Sequence, residues 1–145
     1  MTKIKPCLWV NVPPADVVDY YKGIFPDVEV ADVNPMMAHV VIAGQPLMIL
    51  GGNREFAFNE SVSFVIDCED QAEVDHFWSK LTADGGAESM CAWCKDKYGV
   101  SWQVVPKALG RLLGHPDRAG VERAMQAMFT MRKIIVADLE KAFHG

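Results

Sequence analysis

Hydrophobic and polar positions along the chain fall into two stretches that echo one another, followed by a helical tail. Ile4 to Asn11 is a short apolar run that predicts a strand. Pro13 and Pro14 stop it and can open a helix, because proline's missing N–H costs nothing at the first helical position. Behind them Val17, Val18, Tyr20, Tyr21 and Phe25 recur at helical spacing, and Pro26 marks the expected end. Three strands are expected next: Val28 to Val33, Met37 to Ala43 and Gln45 to Leu50, with a turn at Gly44 and a stop at Gly51 and Gly52.

The pattern then restarts. Ser61 to Cys68 alternates, with Val62, Phe64 and Ile66 on one face, and a helix from about Gln71 to Ala83 presents Val74, Phe77, Trp78 and Leu81 at helical spacing. Gly85 and Gly86 terminate it. Strands around Glu88 to Trp93 and Val100 to Val105 follow, with any third strand between them squeezed by a turn from Cys94 to Gly99. After Pro106 the character changes. Leu109 to Leu113 predicts a helical turn, Asp117 to Met128 a helix carrying Val121, Met125 and Met128, and Ile134 to Phe143 a last amphipathic helix. Met125, Met128 and Met131 form an adaptable apolar stripe. The tail is expected to pack over the sheet or across a dimer, with a substrate lid as the alternative. Strand, helix and antiparallel strands, given twice, set an α+β class of two β-α-β-β-β modules plus C-terminal helices. The expected organisation is one domain over residues 1–145, with module one at about 1–52, module two at about 60–106 and the tail at about 107–145.

Composition narrows the function. The 145 residues are 50% hydrophobic, enough for a well-buried core, and the formal net charge is −5. Without a Lys/Arg cluster the chain lacks the basic footprint that displaces counterions from phosphate, which excludes nucleic acid as a partner. No apolar run approaches the roughly 20 residues that span a bilayer, so no membrane association is expected. The start, MTKIKPCLWV, has neither a long apolar core nor a small-residue cleavage site, so no secretory signal is read and a cytoplasmic home is expected. Cys7, Cys68, Cys91 and Cys94 are then reduced thiols. The single C-x-x-C at Cys91 and Cys94 lacks the second ligand pair a structural zinc needs, and it precedes a turn rather than a helix N-terminus. Its reading is of buried or half-buried thiols in a hairpin.

The segment from Cys91 to Pro106, CAWCKDKYGVSWQVVP, carries the most specific pattern: a Cys-x-Trp, an Asp-Lys-x-Gly turn and a closing Trp-Gln-Val-Val-Pro strand. With the KIKPCLWV start, the VVDYYKGIFP helix end, the FNESVSFVIDCED strand and the tail MFTMRKI, the chain resembles the PhnB-like group of the vicinal oxygen chelate superfamily, which includes the glyoxalases and bleomycin-resistance proteins. The resemblance spans Ile4 to about Phe143. It implies a glyoxalase-like curved mixed sheet, with a small-molecule cavity completed by a homodimer partner. Some members of the group carry a demethylubiquinone methyltransferase label. An S-adenosylmethionine-dependent fold typically has a parallel sheet with a glycine-rich loop after its first strand, and no such pattern is present here.

The resemblance also sets a metal test. The superfamily places one ligand near the start of each module and one on each closing strand. Alignment puts Lys5 or Pro6 at the first position, Met48, Ile49 or Leu50 on the first closing strand, Ser61 or Ser63 at the third position, and Gln103 where a glutamate is usual. One amide oxygen cannot hold a hard or borderline cation against water, so no metal and no cofactor are expected. Strand alternation sends Ser101 and Val105 the same way as Gln103, turns Trp102 and Val104 toward the helices, and sends Ser61, Ser63 and Val65 to the cavity. Cys7, Trp9 and Trp93 join them, and His39, sharing a face with Met37 and Val41, is a candidate base or polar anchor. The expected pocket is apolar and aromatic with a few hydroxyl and amide groups. Three functions are consistent with it: a metal-free binder of a small molecule, an enzyme of lyase, isomerase or dioxygenase type, or an assembly module.

Overall fold

The proline and glycine punctuation of the first half produces a four-stranded mixed sheet with one helix. In a computed structural model describing residues 2–145, this first unit ends at Ala57. It contains β1 (Cys7–Trp9), α1 (Pro14–Lys22), β2 (Val28–Val33), β3 (Met37–Ile42) and β4 (Gln45–Leu50). The spatial order is β1-β4-β3-β2, with β1 parallel to β4 and the other pairs antiparallel.

Alternation divides the side chains between two faces. Leu8, Ala38, Val40, Ile42, Leu47 and Ile49 are buried, as are Val17, Val18 and Tyr21 of α1, which packs against β3 and β4. Cys7, Trp9, Met37, His39, Val41, Met48 and Leu50 take the opposite face and stay half-buried or exposed. The expected strand from Ile4 shrinks to Cys7–Trp9, and Ile4 is 87% exposed. Pro6 offers only its carbonyl, which accepts from Met48 N at 3.0 Å, so pairing with β4 begins there. Helix α1 stops at Lys22 rather than near Pro26. Gly23, Ile24 and Phe25 fold back onto the carbonyls of Asp19 to Tyr21, which still buries Ile24 and Phe25. At the β3–β4 hairpin Ala43 and Gly44 have φ of 48° and 83°, the left-handed pair that matches strand twist.

The second unit, Phe58–Gly145, repeats the order with β5 (Ser63–Cys68), α2 (Gln71–Thr82), β6 (Ala87–Glu88), β7 (Trp93–Lys95) and β8 (Ser101–Pro106). Its sheet runs β5-β8-β7-β6, again with the first pair parallel. Strand β5 begins at Ser63, two residues later than alternation predicted, so Val62 lies outside it, 73% exposed, instead of sharing a strand face with Phe64 and Ile66. Asp70 caps α2 by accepting from Glu73 N at 3.0 Å.

The third strand that looked squeezed does form. The expected strand from Glu88 to Trp93 is broken because Cys91 and Ala92 adopt φ of 55° and 79°. Their N–H groups donate to Met131 O at 2.8 Å and Arg132 O at 3.0 Å, while Ala92 O accepts from Val104 N at 2.9 Å. Two short strands, β6 and β7, therefore stand where one was expected.

Helices α3 (Lys107–Leu113), α4 (Arg118–Met128) and α5 (Val136–His144) pack within this second unit. Leu109, Leu112, Val121, Ala124, Ile134, Leu139 and Phe143 form their core together with Ala92, and Met128 and Met131 pack against it. Gln71 pins the start of α5 to α2: its Nε2 donates to Ile134 O at 3.0 Å, and its Oε1 accepts from Val136 N at 2.8 Å. Among the described residues, no helix is long and apolar enough to cross a membrane.

Candidate functional site

In the first unit the strand register sets Cys7, Met48 and His39 side by side across β1, β4 and β3, with Trp9, Leu50 and Met37 in the next row. His39 Nδ1 lies 2.9 Å from Asp32 Oδ1. A β-bulge between Val30 and Asp32 shifts the β2 register and brings Asp32 opposite His39. Trp9 Nε1 donates to Gly51 O at 2.9 Å, which fixes the ring, and Phe56 packs against it with centroids 5.6 Å apart. Asn53 holds this corner. Its Nδ2 donates to Trp9 O at 2.9 Å and Phe56 O at 2.8 Å, and its Oδ1 accepts from the N–H groups of Glu55 and Phe56. Cys7 is exposed, and partial burial raises its thiol pKa above the usual range.

On the second sheet Ser63, Ser101 and Lys95 line up across β5, β8 and β7, and Val65, Gln103 and Trp93 form the adjacent row. Gln103 Nε2 donates to Ser63 Oγ at 3.0 Å, so the amide that the resemblance would set at a ligand position is engaged with a hydroxyl. Ser61 lies outside the strand, exposed, with its N–H donating to Asn59 Oδ1 at 2.9 Å. Lys95 pairs with Glu60, and the ammonium hydrogen bond holds the Glu60 carboxyl below the usual carboxylate range.

The fold thus brings Cys7, Trp9 and His39 onto one face of the first sheet, and Ser63, Trp93, Ser101 and Gln103 onto one face of the second. It leaves Ser61 at the edge. Sequence reasoning missed Asp32, Phe56, Asn53 and Lys95. Only Lys95 had a local signal, the period of two that sets it on the same face as Trp93.

The opposite face of the second sheet carries buried polar groups with structural roles. Asp96 is 1% exposed; its Oδ1 accepts from Tyr98 N and Val100 N at 2.9 and 3.1 Å, and its Oδ2 from Trp102 Nε1 at 2.9 Å. Trp78 Nε1 donates to Glu88 Oε1 at 2.6 Å. Burial, reinforced by nearby carboxylates, pushes the thiols of Cys68 and Cys94 up to about 12, so both stay protonated and unreactive. Cys91 is half-buried, and its Sγ lies 3.6 Å from Met128 O. All four cysteines are free.

The donor set does not fit a catalytic cation. Gln103 faces Val65, Trp93 and Ser63, while the corresponding row of the first sheet offers Trp9, Leu50 and Met37. Among the described residues no group of three or more His, Cys, Asp or Glu is placed to hold a metal ion. A hard cation needs several charged or carbonyl oxygens, and a borderline one imidazole or thiolate.

The sequence model of the 3-demethylubiquinone-9 3-methyltransferase family matches residues 2–105. No curated protein matches the chain. Among solved structures, the PhnB protein of Bacillus cereus is 25% identical, with a TM-score of 0.65 over 72% of this chain and 99% of its own. A possible glyoxalase from Bacillus cereus is 18% identical, with a TM-score of 0.51 over 72% of this chain and 99% of its own. The fosfomycin resistance protein FosX of Listeria monocytogenes, solved with Mn(II) and a sulfate ion, is 17% identical, with a TM-score of 0.52 over 73% of this chain and 91% of its own. With two β-α-β-β-β units and a family match across most of its length, the chain belongs to the 3-demethylubiquinone-9 3-methyltransferase family, and it shares its fold with the PhnB protein, the possible glyoxalase and the fosfomycin resistance protein FosX.

Proposed function

We propose that this protein binds a small, uncharged or weakly polar molecule without a metal ion, as a cytoplasmic homodimer of a single-domain chain. The observation that carries the reading is the chemistry of the two open sheet faces. One presents Trp9, Met37, Met48 and Leu50, and the other Val65 and Trp93 beside the hydrogen-bonded Gln103 and Ser63. Aromatic and thioether surface with a few neutral polar groups is the usual lining of a small-molecule pocket. Methyl transfer, as the family's description would have it, is the less supported activity. Strand β1 runs into Val10–Pro14 with no glycine, and each sheet is mixed, whereas an S-adenosylmethionine-dependent fold typically has a parallel sheet with a glycine-rich loop after its first strand.

A second reading, an enzyme of lyase, isomerase or dioxygenase type, draws on His39. A carboxylate at 2.9 Å from Nδ1 orients the imidazole and leaves Nε2 as the nitrogen able to accept a proton from substrate. A thermal-shift screen on chelator-treated protein tests the main reading, with light scattering for the mass. Neutral aromatic fragments are expected to raise the melting temperature while S-adenosylmethionine does not, and the particle mass is expected at twice 16.1 kDa. Stabilisation by S-adenosylmethionine alone, or a monomer that ignores every fragment, would overturn it. Turnover that disappears in His39→Gln would favour the enzyme.

A further inference from the structure

Ser101 is 1% exposed, and among the described residues its Oγ has no hydrogen-bond partner. Buried hydroxyls are nearly always paired, so an orphan of this kind needs an explanation. The same residue lines a cleft of about 260 Å³ whose walls include Trp93, Lys95, Glu60, Glu88 and Ser89. That volume lies just below the roughly 300 Å³ at which drug-sized pockets begin, which suits a single ring or one end of a longer ligand.

The charges in the cleft are already spoken for. Lys95 pairs with Glu60, while Glu88 accepts from Trp78 Nε1 at 2.6 Å and lies 3.7 Å from Arg132. Neither a cation nor an anion finds an unengaged counter-charge, so the interactions left over are a hydroxyl and the half-buried Trp93 ring. Strand order makes the Lys95–Glu60 pair a cover. Lys95 on β7 is directly opposite Ser101 on β8, and Glu60 precedes β5 on the far side of that strand, so the pair spans Ser101. Both partners are substantially exposed, and a surface ion pair of that kind opens readily.

We propose that this cleft is the polar subsite of the binding protein, taking a flat, uncharged molecule whose carbonyl, amide or phenol oxygen meets Ser101 Oγ while its ring lies against Trp93. The assignment rests on the small-molecule reading above and specifies where on the second sheet the ligand's polar group sits and that it is neutral. Opening of the Lys95–Glu60 pair admits the ligand, and its re-forming over the bound ring leaves neither charge free for an ion.

The test is titration of the isotopically labelled protein with benzamide and phenol, with benzoate and benzylamine as charged controls, read by amide and indole NMR shifts. Saturable shifts are expected at the Trp93 indole and at the Lys95 and Ser101 amides, with the charged controls at least about fivefold weaker. Ser101→Ala is expected to weaken benzamide by about fivefold while leaving the melting temperature equal or higher, because it removes an unpaired buried hydroxyl. A lower melting temperature in Ser101→Ala would show the hydroxyl satisfied by an ordered water and overturn the proposal, as would preferred binding of benzoate. Shifts confined to Trp9 and Phe56 would sink the subsite and leave the small-molecule reading standing. No fragment-induced shift at any residue would sink both.

Discussion

Asp96 is the residue whose loss the fold should feel most. Its carboxylate lies at the turn between β7 and β8 and receives Tyr98 N, Val100 N and Trp102 Nε1, all between 2.9 and 3.1 Å. Hydrogen bonds to a charged acceptor contribute roughly 1.5–3 kcal/mol each. Three in simple addition would give roughly 4.5–9 kcal/mol, but neighbouring bonds are not additive, and removing a buried charge also relieves its desolvation. Asp96→Ala is therefore expected to cost about 3–5 kcal/mol, a third or more of the stability of a typical domain. Asp96→Asn is the sharper variant. It keeps one oxygen for the two backbone N–H groups but turns an NH₂ toward Trp102 Nε1, setting donor against donor, for about 2 kcal/mol. Urea unfolding followed by tryptophan fluorescence reads both. With an unchanged slope, Asp96→Asn should lower the midpoint by about 1 M. An Asp96→Asn variant within about 0.5 kcal/mol of the parent would refute the reasoning, since it would mean that water already shares these donors.

Further outcomes follow from the same geometry. Gly86→Ala is expected to destabilise by more than about 2 kcal/mol on urea unfolding, because its Cβ would lie 2.2 Å from Leu81 O and 2.8 Å from Lys95 O, backbone atoms that cannot swing aside. Gln71→Ala should release the start of α5, costing about 1–2 kcal/mol and speeding hydrogen exchange at the Val136 amide, which otherwise donates to Gln71 Oε1 at 2.8 Å. For Cys68 and Cys94 the folded thiols titrate near 12, above the unfolded value. Their contribution to stability is therefore complete below about pH 9 and is lost as pH rises toward 12. Unfolding free energy measured between pH 8 and 11 should fall, and less steeply in Cys94→Ala; in native protein at pH 8 a thiol reagent should label exposed Cys7 and spare Cys68 and Cys94.

Much of the face assignment was legible in the sequence because a period of two leaves little freedom. Ser101, Gln103 and Val105 do lie on the face opposite Trp102 and Val104, and His39 does share its face with Met37 and Val41. The doubled β-α-β-β-β order was equally readable, since glycines and prolines bound nearly every element. What could not be read depended on register and on backbone conformations without a compositional marker. Asp32 meets His39 only because a bulge shifts β2, and no residue type announces that bulge. The break between β6 and β7 sits at Cys91 and Ala92, residues that seldom adopt left-handed φ and are held there by the distant Met131 and Arg132 carbonyls. The period of two sets Lys95 on the face of Trp93, but its pairing with Glu60 depends on which strands are neighbours.

The most direct test of the account is the metal content of the untagged protein after separate dialysis against Mg²⁺, Mn²⁺, Fe²⁺, Ni²⁺ and Zn²⁺ and then against metal-free buffer. With Gln103 bound to Ser63, and with Val65 and Trp93 beside it, the account predicts far less than one ion retained per chain for every metal and no change in melting temperature. Stoichiometric retention of any one of them, lost in Gln103→Ala, would contradict it and place a metal centre at Gln103.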